Sequence, residues 1–337
     1  MRAWQLAAGG TSLDALSLVD LPTPEPGPGD VAIRVHACSL NYRDQAIIKG
    51  VYMGGPVPEP IVPLSDGAGE VIAVGAGVTQ FKVGDRVAGT FFMNWHDGPP
   101  NPHAGPALGA YGAPGMLAEI VVLPERAAVR IAKSLSFAEA ATLPCAGVTV
   151  WNALFEGPRP VLPGDRVLLL GTGGVSTIAL QLAKAAGCEV IITSSDDAKL
   201  ERAKALGADH GVNYKVHEDW GLHIARSFGG VDKVVEVGGA GTAEQSMMAL
   251  RHNGEVAMIG VLSPVGGPNP RGLMMTGSIM RGIFVGSRRM AEKTADAFDV
   301  NGLKPVIGAT FAMADAKEAF AYAGSPSLFG KAVITLD

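Results

Sequence analysis

The residues best suited to chemistry form a glycine-rich turn that begins at Gly171 and reads Gly-Thr-Gly-Gly-Val-Ser. Four apolar residues precede it, which indicates a short buried strand, and a segment of helical periodicity follows and ends near Gly187. Such a turn lets a diphosphate approach the backbone and meet the unpaired N–H groups and positive dipole end of the helix. We therefore predict a dinucleotide-binding turn formed by Gly171, Thr172, Gly173, Gly174, Val175 and Ser176.

A doubly wound sheet is needed to hold this turn, and the chain accordingly alternates predicted strands with predicted helices. The strand after the turn ends in Ser194 and Ser195, about 24 residues past Gly171, where a Rossmann unit meets the adenosine ribose. Ser176 stands where the motif prefers Gly or Ala, so a glycine-rich turn in another α/β protein is the alternative. An α/β fold with a doubly wound parallel sheet is predicted from six strands with intervening helices, at residues 167–170, 189–193, 210–213, 231–237, 255–260 and 279–285.

Length and composition limit the classes of protein. The chain has 337 residues, of which 45 are glycine and only 18% are charged, and this suits a compact two-domain enzyme with many tight turns. A net charge of −5 without a Lys/Arg cluster argues against nucleic acid as a partner. Apolar runs are too short to span a membrane, and three scattered cysteines favour a reducing cytoplasm.

The remaining segments predict a second, turn-rich domain. Residues 1–90 suggest antiparallel strands, residues 91–115 an exposed loop, and residues 136–149 a helix with Ser136 as N-cap and Glu139 at its third position. Two helices and a strand beyond residue 287 have no place in the six-stranded sheet. We therefore expect a catalytic domain at 1–128 to which 288–337 returns, a nucleotide domain at 129–287, and an active site in the cleft between them.

Several motifs in one order resemble a known family. They are Gly69-Glu70-Val71, Val83-Gly84-Asp85-Arg86-Val87, residues 142–154, Gly164-Asp165, the Gly171 turn, Lys199-Leu200 with Leu206-Gly207-Ala208-Asp209, and Phe329-Gly330-Lys331. Over essentially the whole chain, the sequence resembles the medium-chain dehydrogenase/reductases, which implies a GroES-like catalytic domain and a Rossmann domain. Residues 39–44 with 50–52 look like the quinone oxidoreductase and enoyl reductase branches. The glycine turn is similar to that of a subgroup labelled zinc-type alcohol dehydrogenase-like.

The sequence departs from the zinc-using members of that family. Catalytic zinc needs three protein ligands and an open position. By the resemblance, Asn41 replaces the first Cys ligand, Ser65-Asp66 replace the His-Glu pair, and only the third ligand survives, as Cys145; the four-cysteine structural lobe is missing. We therefore expect no zinc, with Cys145 as a small buried hydrophobe. The alternative is an unorthodox metal site formed by His36, Cys38, His96 and His103.

The residues at the end of the second strand of the predicted nucleotide domain indicate whether the cofactor is NAD or NADP. An acidic side chain there favours NAD, because it accepts hydrogen bonds from the ribose and repels a 2′-phosphate. Instead, Ser194 and Ser195 occupy the tip, and Lys199 lies one helical turn further on, where it can pair with a phosphate. The pattern resembles NADP-dependent quinone reductases, in which a Tyr matching Tyr214 contributes. We expect NADPH rather than NADH; the competing interpretation takes the ribose acceptor from the helix start, at Asp196 or Asp197.

The catalytic candidates follow from the missing metal. Without a Lewis acid, reduction of a conjugated C=C needs only hydride delivery and hydrogen bonding to the developing enolate. The resemblance implies that Asn41 and Tyr52 line the nicotinamide end and that Thr149 meets the carboxamide. Arg43 either holds a carbonyl oxygen or pairs with Asp44 or a backbone carbonyl. Further catalytic candidates are Tyr42, Trp95 and His96, and further expected cofactor contacts are Gly238, Gly260, Val285, Gly286 and Lys331.

The predicted reaction is NADPH-dependent reduction of quinones or α,β-unsaturated carbonyl compounds. One alternative is an alcohol dehydrogenase, either metal-free or with an atypical zinc site, and another is a redox-sensing protein that binds cofactor without turnover. The strand at 279–285 is expected at the sheet edge, where an apolar strand is usually paired or covered. Since relatives pair this strand with its copy in a second subunit, a homodimer is expected.

Overall fold

A computed structural model describes residues 1–100, 103–260, 262, 267 and 269–336. The structure divides into two compact units, residues 1–148 with 286–337 and residues 149–285. The strands are β1 Arg2–Leu6, β2 Leu16–Asp20, β3 Asp30–Ser39, β4 Asp66–Val74, β5 Arg86–Gly89, β6 Ile120–Pro124, β7 Ala128–Arg130, β8 Arg166–Leu169, β9 Glu189–Ser194, β10 His210–Asn213, β11 Val231–Glu236, β12 Leu250–Met258, β13 Ile279–Gly282, β14 Ile307–Ala312 and β15 Lys331–Thr335. The helices are α1 Tyr42–Ile48, α2 Phe137–Ala140, α3 Val148–Phe155, α4 Gly174–Ala185, α5 Asp197–Ala205, α6 Trp220–Phe228, α7 Ala243–Met248, α8 Arg271–Thr276, α9 Arg288–Val300 and α10 Ala316–Ala323.

A seven-stranded sheet forms the frame of the first unit. Its order is β14-β15-β3-β4-β5-β7, and β6 also pairs with β3. The pairs are antiparallel except β14 with β15, and β1 and β2 form a separate antiparallel pair. A Cβ at Gly69 would lie 1.9 Å from the Arg34 carbonyl oxygen on β3, so the close approach of the two strands explains the glycine of the Gly-Glu-Val motif.

Residues on both sides of the nucleotide-binding segment belong to this first unit. Strand β15 pairs with β3, which brings the C-terminal segment into the same sheet. Residues 129–148 also lie in the first unit, whereas the expected division gave them to the nucleotide domain. The reason is local pairing, because β7 bonds to β5 of the first sheet. The predicted helix at 136–149 begins with the expected Ser136–Glu139 capping box and continues through a π-helical turn, Leu143–Gly147, into α3.

The second unit contains the predicted doubly wound parallel sheet. Its strand order is β10-β9-β8-β11-β12-β13, with every neighbouring pair parallel. The order reverses between β8 and β11, and ligands of such sheets bind at the carboxyl ends of the strands at this point. All six expected strands are present, and β13 lies at the sheet edge as predicted, although it ends at Gly282 rather than at residue 285. The structure adds α8, which the sequence analysis did not predict.

The prediction of an exposed loop at residues 91–115 is only partly right: residues 96–100 are exposed, but buried side chains lie on both sides of them. In the described part of this segment no helix or strand forms, but Phe91, Phe92, Trp95 and Leu108 are buried. The aromatic rings of Phe91 and Phe92 contact each other at 4.8 Å, and Leu108 belongs to the core of the first unit. Their apolar area drives the burial in spite of the surrounding Pro and Gly residues. Residues 101 and 102 lie outside the described residues.

Among the described residues, no helix combines the length and the apolar character that crossing a membrane would require.

Candidate functional site

The predicted glycine turn joins β8 to the start of α4, at the point where the sheet order reverses. Gly171 has φ of 70°, a conformation that favours glycine, and its N–H donates to Thr193 Oγ1 at 3.2 Å, which ties the turn to β9. Gly173 is the N-cap of α4, so the N–H groups of Gly174, Val175 and Ser176 form the first helical turn. A Cβ at Gly173 would meet no atom within 4 Å. The turn therefore offers an open approach to unpaired N–H groups, which is what a diphosphate requires.

The environment of Ser176 explains why serine can replace the Gly or Ala of the usual motif. Its side chain is buried and its hydroxyl donates to the Leu170 carbonyl oxygen at 2.6 Å. The third position of the motif needs a small residue because helix and strand pack closely there. Serine satisfies this requirement, since its one polar group bonds to the preceding strand. The hydroxyl is thus engaged within the protein, and the backbone N–H is the group that Ser176 can offer to a phosphate.

A second loop at the switch point follows β11 and contains Gly238. The buried carboxylate of Glu236 organises this loop, because its Oε1 accepts from the N–H groups of Gly238 at 2.6 Å and Gly239 at 3.0 Å and from Thr242 Oγ1 at 2.7 Å. Its Oε2 accepts from the Ser246 hydroxyl. The sequence analysis did not single out Glu236, although an acidic residue closing a buried strand before a glycine pair was the available signal.

Packing explains the identity of one predicted cofactor residue. A Cβ at Gly260 would lie 1.7 Å from the Val237 carbonyl oxygen, so the close approach of the backbone requires glycine there regardless of any cofactor. A Cβ at Gly286 would lie 2.6 Å from Met290 Sδ, which belongs to a side chain and not to the backbone. Thr149, in α3, is buried.

The backbone after β13 carries a strained residue. Val285 has φ of 53°, which a β-branched residue rarely adopts, at a cost of order 1–3 kcal/mol. Its carbonyl oxygen accepts from Asn152 Nδ2 at 2.7 Å. Arg281 holds Asn152 in turn, donating to its Oδ1 at 3.0 Å, and is itself paired with the buried Glu255 at 2.8 Å. A chain of polar contacts therefore fixes the strained conformation at a predicted cofactor residue.

Just beyond the end of β9, Asp196 and Asp197, the two alternative ribose acceptors, both accept hydrogen bonds from groups within the protein. Asp196 is the N-cap of α5, and its Oδ1 accepts from Ala198 N at 2.8 Å. Asp197 Oδ1 accepts from Asn213 Nδ2 at 2.7 Å. The start of α5 thus engages the Asp196 carboxylate, whereas Asp197 is engaged by Asn213 of β10. Ser194 lies buried at the strand end, Ser195 and Lys199 are half-buried, and the Tyr214 side chain is exposed.

The first unit gathers a buried polar cluster, which we call the Asn41 cluster: Asn41, Asp44, Ser65, Asp66, Cys145 and Lys331. Asn41 is the N-cap of α1, and its backbone N–H donates to Asp44 Oδ2 at 2.8 Å. Lys331 Nζ donates to the Leu40 carbonyl oxygen and to Asn41 Oδ1, both at 2.5 Å. Although Lys331 was predicted as a cofactor residue, these partners place its amine against the catalytic candidate Asn41.

Asp66 connects the cluster to Cys145. Its Oδ1 accepts from the Ser65 hydroxyl at 2.7 Å, and its Oδ2 accepts from the Cys145 backbone N–H at 3.1 Å. Burial raises the pKa of Asp66, against the opposing charge of Lys331. Burial also raises the pKa of Asp44 to about 6, against the opposing charge of Arg43. The cluster therefore contains two carboxylates whose charged form is disfavoured by burial, and nearby cations offset only part of that effect.

Arg43 lies against aromatic rings instead of facing solvent. Its guanidinium carbon lies 5.2 Å from the Tyr52 ring centroid and 4.8 Å from that of Phe91, and the side chain is buried. Nη1 donates to the Leu108 carbonyl oxygen at 2.7 Å and lies 3.8 Å from Asp44 Oδ1. Nη1 is thus paired within the protein, whereas the buried Nε and Nη2 have no hydrogen-bond partner among the described residues, so both interpretations of Arg43 stay open. Tyr42, by contrast, is exposed.

The two loop candidates differ in their environment. Trp95 is buried and its Nε1 donates to the Gly98 carbonyl oxygen at 3.1 Å, so its polar group already has a partner. His96 is exposed, and its carbonyl oxygen accepts from Arg289 N at 3.0 Å. Neither side chain shows a contact with the Asn41 cluster among the described residues.

The residues of the Asn41 cluster do not fit a zinc ion. Zinc prefers thiolate, imidazole and carboxylate ligands, but the position of the first ligand holds the Asn41 amide, with the Lys331 ammonium bonded to it. Burial and the charge of Asp66 raise the pKa of the Cys145 thiol. In the described parts of the chain, no group of three or more His, Cys, Asp or Glu side chains is arranged to hold a metal. His36, one member of the alternative site, stacks on Phe137 at 4.5 Å.

Comparison with known proteins assigns the chain to a family. The family described as Alcohol dehydrogenase GroES-like domain matches residues 27–133, and the family described as Zinc-binding dehydrogenase matches residues 174–299. A zinc-type alcohol dehydrogenase-like protein of Schizosaccharomyces pombe is 42% identical over 337 residues, covering 97% of each chain. The crystal structure of a Pseudomonas syringae quinone oxidoreductase is 30% identical with a TM-score of 0.82 over 99% of each chain, and that of an NAD-dependent alcohol dehydrogenase is 34% identical with a TM-score of 0.88 over 100% of each. The chain therefore belongs to the medium-chain dehydrogenase/reductase superfamily of oxidoreductases.

Proposed function

We propose that this oxidoreductase uses NADPH to reduce quinones or α,β-unsaturated carbonyl compounds, by hydride transfer that involves no metal. The observation that carries the proposal is the Asn41 cluster, in which a lysine amine and an amide occupy the position of a zinc ligand. Reduction of an activated C=C places the hydride on the β-carbon, and the charge that develops on oxygen needs only hydrogen-bond donors. The proton that completes the reaction comes from solvent or a side chain.

The second candidate function is interconversion of alcohols with aldehydes or ketones. The names of the Schizosaccharomyces relative and of one solved relative favour it. Conversely, the name of the Pseudomonas relative favours quinone reduction. The donor chemistry of the Asn41 cluster favours the first candidate, because metal-assisted alkoxide chemistry needs an ion that the cluster does not suit.

The cofactor and partner assignments complete the proposal. NADPH is favoured over NADH by Ser194, Ser195 and Lys199, together with the engagement of the Asp196 carboxylate in capping α5. A homodimer is proposed because β13 lies at the sheet edge and carries the exposed Ile279. The partners that we propose are a small-molecule carbonyl or quinone and a second copy of the chain, with neither nucleic acid nor a membrane involved.

A substrate panel tests the proposed function. Purified protein is given NADPH or NADH with enones, quinones, aldehydes and alcohols, and cofactor oxidation or reduction is followed by absorbance, with metal content measured in the same preparation. We expect NADPH oxidation with enones or quinones from protein without stoichiometric metal. The proposal fails if enones and quinones leave NADPH unoxidised while alcohols are oxidised when zinc is added. Tight NADPH binding without turnover on any member of the panel would instead indicate a non-catalytic protein.

Lys199→Glu tests the cofactor preference. The reversed charge should repel the 2′-phosphate, so we expect the Kd of NADPH to rise by about 10- to 100-fold while that of NADH changes by less than about 3-fold. Binding is measured by fluorescence titration. Lys204→Glu is the matched control, because Lys204 lies on the same helix and its amine pairs with Glu201 at 2.8 Å. An equal loss for both cofactors in the Lys199 variant would contradict the assigned role.

A further inference from the structure

We propose that Lys331 is a positioning residue that fixes the orientation of the Asn41 amide, so that Asn41 Nδ2 donates a hydrogen bond to the carbonyl oxygen of the substrate. The inference rests on the proposed function and adds to it the group that stabilises the developing enolate. It gives Lys331 a role in orienting the substrate donor, whereas the sequence suggested cofactor binding. It also gives Asn41 a direct catalytic role.

The contact between Lys331 and Asn41 leaves only one orientation for the amide. An ammonium group has three donors and no acceptor. Lys331 Nζ lies 2.5 Å from Asn41 Oδ1, so the oxygen of the amide must face it. The NH2 group is then held on the opposite side, because a flipped amide would place two donors against each other. The lysine thus determines which atom Asn41 presents.

Backbone pairing keeps Lys331 in place. Lys331 begins β15, and its amine also donates to the Leu40 carbonyl oxygen at 2.5 Å, just beyond the end of β3. The two strands pair with Val333 opposite Ser39, and Leu40 N donates to the Ala332 carbonyl oxygen at 3.1 Å, so Lys331 and its two acceptors lie just beyond the end of this ladder. Lys331 is only 4% exposed. A long side chain with such restricted freedom can hold an amide within the tolerance that a reacting group needs.

The presented NH2 group makes no well-formed hydrogen bond within the described residues. Asn41 Nδ2 is buried, and no acceptor there meets it with hydrogen-bond geometry. The Asp66 carboxylate is close enough for the Asn41 amide to lower the pKa of Asp66, against the larger effect of burial, so a substrate oxygen would compete with Asp66 for this donor. A buried donor without a well-formed hydrogen bond is destabilising, and in a native protein it calls for an explanation such as a catalytic role or a bound water. A substrate oxygen is the acceptor that this enzyme class brings to the site.

The donor would act at the step in which charge moves to oxygen. NADPH, when bound, would supply hydride to the β-carbon, and the carbonyl oxygen would then carry the negative charge of an enolate. Asn41 Nδ2–H would donate to that oxygen, and a proton from solvent or a side chain would add to the α-carbon to give the saturated ketone. A preorganised donor acts most strongly on this charged state, so it lowers the barrier more than it strengthens substrate binding.

The test compares Asn41→Asp with two lysine variants in the full chain. Asn41→Asp keeps an oxygen for Lys331 but replaces the NH2 donor by an acceptor, so we expect kcat for 2-cyclohexen-1-one to fall by about 100- to 1,000-fold. Lys331→Met releases the amide and should lower kcat by about 10-fold or more, with a smaller change in KM, whereas Lys331→Arg, whose side chain also only donates, should recover part of the loss. Melting temperatures of all variants show whether each protein is folded.

A spectroscopic measurement separates this inference from the proposed function. The carbonyl stretch of 2-cyclohexen-1-one bound with NADP⁺, which cannot turn over, should shift to lower frequency in the wild type, less in Lys331→Met, and not at all in Asn41→Asp. A wild type that shows the shift but reduces no enone would remove the proposed reaction and keep the hydrogen bond. A folded Asn41→Asp variant with wild-type kcat or an unchanged carbonyl shift would overturn the inference. So would loss of kcat in Lys331→Met that Lys331→Arg fails to recover.

Discussion

Gly173→Val is expected to weaken NADPH binding by about 100-fold, which corresponds to about 2.7 kcal/mol, with little change in protein stability. Gly173 caps α4 with φ of −77°, a conformation that valine tolerates, and a Cβ there would meet no protein atom within 4 Å. The added methyl groups would therefore project into the space from which the diphosphate must approach the first N–H groups of the helix. Fluorescence titration of NADPH and thermal denaturation measure the two effects separately.

Gly282→Val is the matched control for this experiment. A Cβ at Gly282 likewise meets no atom within 4 Å, but the residue lies in β13, the edge strand farthest from the glycine turn on this side of the sheet. We expect its NADPH affinity to stay within about 3-fold of the wild type. Retained NADPH affinity in a folded Gly173→Val protein would show that the diphosphate does not lie over this turn.

Local pattern was sufficient to predict most of the fold. The alternation of apolar strands with amphipathic helices predicted the six parallel strands, and the Ser136–Glu139 pair predicted where a helix begins. Short segments were less predictable, because β7 and β14 acquire their strand character from pairing with distant partners. The burial of residues such as Phe91 and Trp95 was not predicted for a related reason. Pro and Gly indicate where the chain turns, but they do not show which of the neighbouring side chains become buried.

The sequence predicted which residues belong to the candidate site better than it predicted which of them contact each other. Asn41 and the glycine turn carry a signal in the sequence, as a motif position and as a strand–turn–helix pattern. The bond between Asn41 and Lys331 joins residues 290 positions apart, and only the pairing of β15 with β3 brings them together. No periodicity encodes such a contact. The contacts of Asp66 were equally unpredictable from the sequence. The sequence showed only that Ser65-Asp66 replace the His-Glu pair of the zinc enzymes, whereas in the structure Asp66 accepts hydrogen bonds from Ser65 and Cys145.

Glu236→Ala is expected to lower the free energy of unfolding by about 3–5 kcal/mol and to weaken NADPH binding as well. The substitution leaves three donors without their acceptor: the N–H groups of Gly238 and Gly239 and the hydroxyl of Ser246. The Thr242 hydroxyl loses one of its two acceptors, since it also donates to the Gly239 carbonyl oxygen at 3.2 Å. Each unsatisfied buried donor costs about 1–3 kcal/mol, and water entering the space recovers part of the sum. Urea denaturation measures the stability, and NADPH titration measures the affinity.

Two control variants separate the loop-organising role of Glu236 from a general effect of removing acidic charge. Glu236→Gln keeps one oxygen for the Gly238 and Gly239 N–H groups, and the Ser246 hydroxyl can rotate to accept from the new NH2 group, so a smaller loss of about 1–2 kcal/mol is expected. Glu244→Ala removes an exposed acid from the first turn of α7 and should cost less than about 1 kcal/mol. If Glu236→Ala were as stable as Glu244→Ala, the carboxylate would not be what holds the loop, and the cofactor affinity of the two variants should then also be equal.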